Sequence, residues 1–270
     1  MYVTIVQKHD LDLSNVAVIY TDINMLTELS FTSLSKHWST PEEIELLSQS
    51  QNEEKNLSRI YARILIRQAL FKLAPHIEPV DWIIEHNDAG QPTLSCSHYN
   101  FVDKIMPHIS ISYSYPYVAV ALHNEPLGLD LEKHDLSLNY LTIVKNYFGP
   151  GEEADIQTLE KQHRRHYFYR LWTLKEATGK LLGTGLRIKL EDIRIDQDYQ
   201  ELLTDYGNGQ IRVNRTTVSQ QSHPDSLGRQ LASTKNIQDV YGQWFSVEPG
   251  LHMALSQQTA TPLTIEQAIL

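Results

Sequence analysis

Two carboxylates, Asp130 and Glu132, stand two residues apart in the segment Gly128-Leu-Asp-Leu-Glu132, alternating with leucines. In an extended strand such residues share one face, close enough for one small hard cation to touch both, while Leu127, Leu129 and Leu131 anchor the other face. A solvated polar strand face has the same pattern, so the pair alone leaves both readings open. Further along, Trp172-Thr-Leu-Lys-Glu-Ala-Thr-Gly-Lys180 sets Lys175, Glu176 and Lys180 into a helical run with Phe168, Leu171, Leu174, Thr178 and Leu181 as its inward seam. A surface Glu176–Lys180 pair would stabilise a helix by only ~0.2–0.5 kcal/mol. The apolar seam and the tryptophan place these charges at the edge of a packed interface instead. Three acids around one Mg²⁺ leave excess negative charge that lysines or a bound phosphate must balance. Because Mg²⁺ takes one or two carboxylates plus substrate phosphates, the pattern points to a diphosphate bridging metal and lysine.

The elements that must position these groups follow from periodicity. From Glu53 to Leu73, Leu57, Ile60, Ile64, Leu65, Ala69, Leu70 and Leu73 recur at helical spacing, and Pro75 closes the run. Arg59, Arg63 and Arg67 line one side of that helix, where a solvated face is the plainer reading. Pro107 to Ser114 alternates, Tyr117 to Leu122 is apolar, and His123-Asn-Glu-Pro126 breaks the chain before the carboxylate strand Leu127 to Glu132. Helices are expected over Leu138–Phe148, stopped by Gly149-Pro150-Gly151, and over His163–Leu182, capped by Gly183. Leu190–Ile195, Gln210–Val213, Trp244–Val247 and Leu251–Leu255 are expected strands, Asn214–Asn236 a long loop, and the end of the chain from Thr259 a fraying tail. Ser112–Leu122 and Val247–Leu255 each lead through a turn into a short apolar strand, which hints at two similar halves meeting near residue 127.

The 270 residues, 41% hydrophobic and 21% charged, suffice for one large or two modest domains with a real core. A formal net charge of -10 argues against a role on nucleic acid, so any phosphate site is local. The single cysteine, the absence of a signal-like N-terminus and of an apolar run near ~20 residues give a cytoplasmic, non-membrane expectation. His163 and His166 lie three apart without a completing ligand, and Ser110, Ser112 and Ser114 lack the Gly-x-Ser-x-Gly turn of a nucleophile elbow.

Taken together, Gly128–Glu132 and Trp172–Lys180 resemble, in order and spacing, the two signature motifs of the 4'-phosphopantetheinyl transferases. Pro107-His-Ile-Ser-Ile-Ser-Tyr-Ser114 is similar to the family's Asn-Ile-Ser-His-Ser segment, Leu65-Ile-Arg67 to its N-terminal helix, and Tyr147-Phe148 with Glu152 to the acidic turn between the signatures. The likeness runs from about Lys55 to Leu255. It resembles the long, two-half (surfactin-synthetase-activating) type, which implies an α+β fold of two pseudo-symmetric halves, 1–126 and 127–258 with a tail 259–270, and a monomer with its site in the cleft between halves. The resemblance implies Mg²⁺-dependent transfer of the phosphopantetheine arm from coenzyme A to a serine of an acyl or peptidyl carrier protein, releasing 3',5'-ADP. Asp130, Glu132 and Glu176 would hold Mg²⁺, Lys180 would stabilise the leaving phosphate, and Glu176 or Glu152 would take the serine proton. Ser112, Tyr113, Gln91, Lys175, Lys180, Arg63, Arg67 and Lys55 are the expected coenzyme contacts. Members of this type often serve polyketide or nonribosomal peptide synthesis, and some fatty-acid synthesis.

Two positions depart from the family pattern. Tyr113 stands where histidine is usual, and Gln91 where a Gly-Lys-Pro stretch is common, so each replaces a cation by a neutral hydrogen-bonding group. Arg63, Arg67 or Lys55 could compensate. The rival readings are a family member that grips carrier protein or coenzyme A without turnover and, behind it, a Mg²⁺-dependent diphosphate hydrolase.

Overall fold

The computed structural model describes residues 13–25, 34–48, 51–97, 106–184, 188–218 and 233–267. Its helices are α1 (Pro41–Ser48), α2 (Glu53–Leu73), α3 (Tyr140–Tyr147), α4 (Pro150–Thr158), α5 (Lys161–Leu181) and a short α6 (Tyr199–Leu202). Its strands are β1 (Val16–Asp22), β2 (Ile83–His86), β3 (Pro92–Ser95), β4 (His108–Ser114), β5 (Tyr117–His123), β6 (Leu127–Lys133), β7 (Ile193–Ile195), β8 (Tyr206–Val218), β9 (Ser233–Glu248), β10 (Leu251–Gln257) and β11 (Leu263–Gln267). They form a sheet of order β11-β1-β5-β4, a second of order β6-β10-β9-β8-β7, and a β2-β3 hairpin. The fold is α+β.

Four layers result. The apolar side of α2, with Ile60, Ile64 and Leu65, packs on Ala17, Ile19, Val118 and Val120 of the first sheet. The opposite face of that sheet, with Val16, Val18, Ala119 and Ala121, meets Leu127, Leu129, Leu131, Met253 and Leu255 of the second. Beyond it α5 covers the far side, where Phe168, Leu171, Leu174 and Ala177 contact Ile211, Val240, Trp244 and Ala254. Each half repeats one scheme: a seven-residue strand, a 21-residue helix and a hairpin whose second strand pairs with the first strand, giving β1-β5-β4 and β6-β10-β9. The two segments whose sequence similarity is visible, Ser112–Leu122 and Val247–Leu255, are the two hairpins.

Two expectations need correction, and strand β1 had no expectation at all. The C-terminal tail does not simply fray, because β11 pairs in parallel with β1 from Val16↔Leu263 to Tyr20↔Gln267 and so completes the sheet of the opposite half. The loop expected over Asn214–Asn236 is narrower, since β8 and β9 pair as far as Val218↔Ser233, and its remainder lies outside the described residues. The strand β1 has no surface alternation to reveal it, because six of its seven residues are buried.

One glycine decides how closely the two signature segments approach. A Cβ on Gly128 would lie 1.9 Å from the Ala177 carbonyl oxygen and 2.5 Å from the Leu181 nitrogen, so β6 rests directly on the backbone of α5. Gly128→Ala forces the two apart and is expected to cost about 1–3 kcal/mol of stability in a denaturant titration. An unchanged midpoint would contradict this packing.

Candidate active site

The close approach at Gly128 brings Asp130 and Glu132 of β6 beside Glu176 and Lys180 of α5. Asp130 is 4% exposed, and its Oδ1 receives Lys180 Nζ at 2.8 Å and the Ser112 hydroxyl at 2.9 Å. Glu132 is fixed at both oxygens, by Trp172 Nε1 at 3.2 Å and the Ser114 hydroxyl at 3.2 Å. Lys180 also donates to Leu129 O at 2.9 Å, Ser112 Oγ at 3.0 Å and Ile111 O at 3.3 Å, all from β4 and β6.

The alternating serines of β4 make this arrangement possible. Ser110, Ser112 and Ser114 accept the N–H groups of Leu129, Leu131 and Lys133 at 2.9, 3.1 and 2.8 Å. A period-two row of hydroxyls thereby satisfies the open edge of β6, which β10 leaves uncovered on that side. With the same hydroxyls, Ser112 and Ser114 donate to Asp130 and Glu132. A hydroxyl has one hydrogen and two lone pairs. Ser112 uses all three on Asp130, Leu131 N and Lys180, so the expectation that it contacts coenzyme is replaced by a role in orienting the acid.

Burial gives these acids unusual protonation. Desolvation, followed by the Asp130 charge, pushes the Glu132 carboxyl up to about 8. The same two causes push Glu176 up to about 7, with Lys180 pulling it back. Asp130 Oδ2 and Glu176 Oε1 are buried without a hydrogen-bond partner. Among the described residues, no three His, Cys, Asp or Glu side chains converge closely enough to hold a metal ion as they stand. Carboxylates lacking a cation repel one another, and the Lys180 ammonium instead lies against Asp130. The donor set still fits Mg²⁺, with hard carboxylate oxygens on facing elements, two of them orphaned.

The other expected site residues divide. Lys175 is wholly buried and turns away from the acids, donating to Leu190 O at 2.8 Å and to Ile193 O, and pairing with Glu152 at 2.8 Å. It is therefore not a coenzyme contact: its charge is spent inside the C-terminal half. Glu152 in turn accepts the Gly149 N–H at 3.0 Å and caps α4. Arg67, 1% exposed, is likewise corrected, since Glu43, Trp38 O and Trp82 O occupy its guanidinium. Arg63 binds Glu43 at 3.1 Å and remains partly accessible beside Arg59. Lys55 is exposed in the first turn of α2 and lines neither of the two cavities beside the acids.

Two cavities flank the acids. One of about 180 Å³ lies between the halves, lined by His86, Gln91, Ser110, Tyr113 and Lys180 among others. Desolvation raises the Tyr113 hydroxyl pKa although its ring is 40% exposed, and Arg63 and Arg59 pull it back. Desolvation lowers His86, with Arg63 and Arg59 adding to it, so both arginines act electrostatically on this mouth. The other cavity, about 620 Å³, is lined by Ser114, Glu132, His134, Phe168 and Trp172. The His166 ring meets the buried His252 edge-on, and His252 lies 2.7 Å from His134 between ring nitrogens. Ser114 and Trp172 were not singled out as site residues in the sequence. The signal for Ser114 was present as a period-two serine run facing a period-two acid run.

Because Glu132 and Glu176 carry pKa values raised above the ordinary carboxylate value, they favour folding below it, and that contribution is lost as pH rises through about 7 and about 8. A divalent ion must displace those protons, so Mg²⁺ should raise the thermal midpoint more at about pH 8 than at about pH 6. An equal shift at both pH values, or none, would contradict the site.

The model of the 4'-phosphopantetheinyl transferase superfamily matches residues 126–226. The chain is similar to the 4'-phosphopantetheinyl transferase Sfp of Bacillus subtilis, 36% identical over 96 residues, covering 34% of this chain and 42% of that relative. It is 28% identical over 139 residues to the 4'-phosphopantetheinyl transferase gsp of Aneurinibacillus migulanus, covering 52% and 54% of the two chains. A putative 4'-phosphopantetheinyl transferase of Synechocystis sp. is 27% identical over 156 residues, covering 57% and 59%. The matches thus span between 42% and 59% of the length of these relatives. Asp130, Glu132, Glu176 and Lys180 all fall within the segment that the model of the 4'-phosphopantetheinyl transferase superfamily matches.

Proposed function

We propose that this chain transfers the 4'-phosphopantetheine arm of coenzyme A to a serine of an acyl or peptidyl carrier protein, with Mg²⁺ held by Asp130, Glu132 and Glu176. The observation that supports the reading is the Lys180–Asp130 ion pair at 2.8 Å beside a cavity between the two halves, with Glu132 and Glu176 near enough for the Asp130 charge to raise both. The names of the relatives support the same chemistry. Bound there, Mg²⁺ would neutralise charge on the diphosphate.

The chain's own groups supply the rest. The carrier serine hydroxyl attacks the phosphorus next to the pantetheine arm, a phosphodiester forms, and the anhydride bond to the nucleotide breaks to release 3',5'-ADP. The serine proton goes to Glu176, directly or through a water, because Glu176 is a carboxylate with a buried oxygen that has no hydrogen-bond partner. Glu152, the other candidate base, is engaged by Lys175 and by the turn it caps. Lys180 stabilises the charge that develops on the departing phosphate. Arg63, with Arg59, supplies positive charge at the cavity mouth where Tyr113 and Gln91 carry none. The carrier would dock over the larger cavity, near the exposed Leu136, whose neighbours Asp135 and Leu138 line it, and apolar contact there would outweigh the overall negative charge. One chain furnishes both walls of the smaller cavity, which favours action as a monomer. Among the described residues no helix is long and apolar enough to cross a membrane, and a cytoplasmic setting is part of the proposal.

Mass spectrometry of an apo carrier protein incubated with the enzyme, coenzyme A and Mg²⁺ is the test. A gain of one phosphopantetheine arm is expected, and Asp130→Ala should slow it by ~10²–10³-fold or more while leaving the protein folded. Tight coenzyme binding with no mass gain would favour the binding-only reading that Tyr113 and Gln91 motivate. Undiminished transfer by Asp130→Ala would remove the metal assignment.

A further inference from the structure

Gln91 stands in the turn between β2 and β3, at the position where the family pattern commonly has lysine. Its side chain reaches across to the other half. Nε2 donates to the carbonyl of Lys180 at 3.0 Å, linking residues 89 positions apart and joining the β2–β3 hairpin to the last turn of α5. The amide is oriented locally for this contact. Asn87 Nδ2 donates to Gln91 Oε1 at 3.2 Å, while Asn87 Oδ1 accepts the backbone N–H groups of Ala89 at 3.0 Å and Gln91 at 2.9 Å. With its oxygen held by a donor, the amide turns its NH₂ group toward the helix end. Gly183 completes the seat: its φ is 65°, and a Cβ there would lie 2.7 Å from Gln91 Oε1. Glycine therefore serves both the left-handed turn that ends α5 and the space the amide enters.

Lys180 is consequently tied at both ends. Its ammonium binds Asp130, Ser112 and the carbonyls of Ile111 and Leu129, while its own carbonyl, which already accepts the Gly183 N–H at 3.1 Å, receives a second hydrogen bond from the opposite half through its other lone pair. We propose that Gln91 is a positioning residue that fixes the last turn of α5, and with it Lys180 and Glu176, against the N-terminal half. A contact that a lysine would offer to a ligand is exchanged for a strut between the two walls of the cavity. The inference deepens the transfer reading and rests on it for its kinetic consequence, whereas the strut itself is measurable without any substrate.

Gln91→Met keeps length and bulk but removes both amide groups, and Asn87→Ala removes only the orienting partner. Gln91→Met should lower kcat roughly tenfold with KM for the carrier protein unchanged, and Asn87→Ala should do so by less. The double variant should be no worse than Gln91→Met alone, because Asn87 acts through Gln91. Without coenzyme, backbone amides 178–184 should exchange faster in Gln91→Met while the thermal midpoint stays within a few degrees of the parent. Parental kinetics and exchange in Gln91→Met would overturn the proposal, as would a kcat loss matched by an equivalent loss of global stability. Faster exchange in a protein whose parent form transfers nothing would keep the strut and remove the transfer reading instead.

Discussion

Placing three carboxylates in a desolvated seam between a strand and a helix is the constraint on which the rest of this structure turns. Burial and the Asp130 charge raise Glu132 and Glu176 far above ordinary carboxylates, so the seam is an electrostatic liability unless a cation is present. The fold accepts this cost in a specific place. Gly128 lets α5 lie on the backbone of β6, and the serines of β4 satisfy the exposed edge of β6 while steering its acids. Lys180 supplies one balancing charge from within the chain. Two carboxylate oxygens of the seam, Asp130 Oδ2 and Glu176 Oε1, are buried without a hydrogen-bond partner.

The architecture explains why this seam, built from β6 and α5 of the C-terminal half, lies against β4 of the other half. Each half alone is a strand, a long helix and a hairpin, and each covers one sheet face with its own helix. The remaining faces close on each other through the leucines that alternate with the acids. The acids on the opposite face of β6 are thereby turned toward α5, and their outer edge toward β4. The parallel pairing of β11 with β1 ties the end of the chain back to the first half, so the halves are interlocked and not merely abutted.

Much of this was legible in the sequence, and the misses have physical causes. The Gly128–Glu132 alternation gave both the strand and its acidic face, and the helical seam of Glu53–Leu73 gave α2 with its limits. The two segments of faint likeness each fall on a hairpin. Lys175 and Arg67 were misjudged because a charged residue at a helical position does not declare whether it faces ligand or interior. Their partners, Glu152 and Glu43, lie more than twenty residues away in each case. Strands β1 and β11 were missed because a strand buried on both faces lacks alternation and a short terminal strand has too few residues to show any. The reach of Gln91 to Lys180 depends on tertiary packing that no local pattern records.

The central claim is that Asp130, Glu132 and Glu176 close on one divalent ion when coenzyme A is present. Anomalous diffraction from crystals grown with coenzyme A and Mn²⁺ measures this directly. The account predicts one strong metal peak within bonding distance of an oxygen from each acid and of the coenzyme diphosphate. A peak elsewhere, or a diphosphate bound with the three carboxylates still apart and no metal among them, would contradict it.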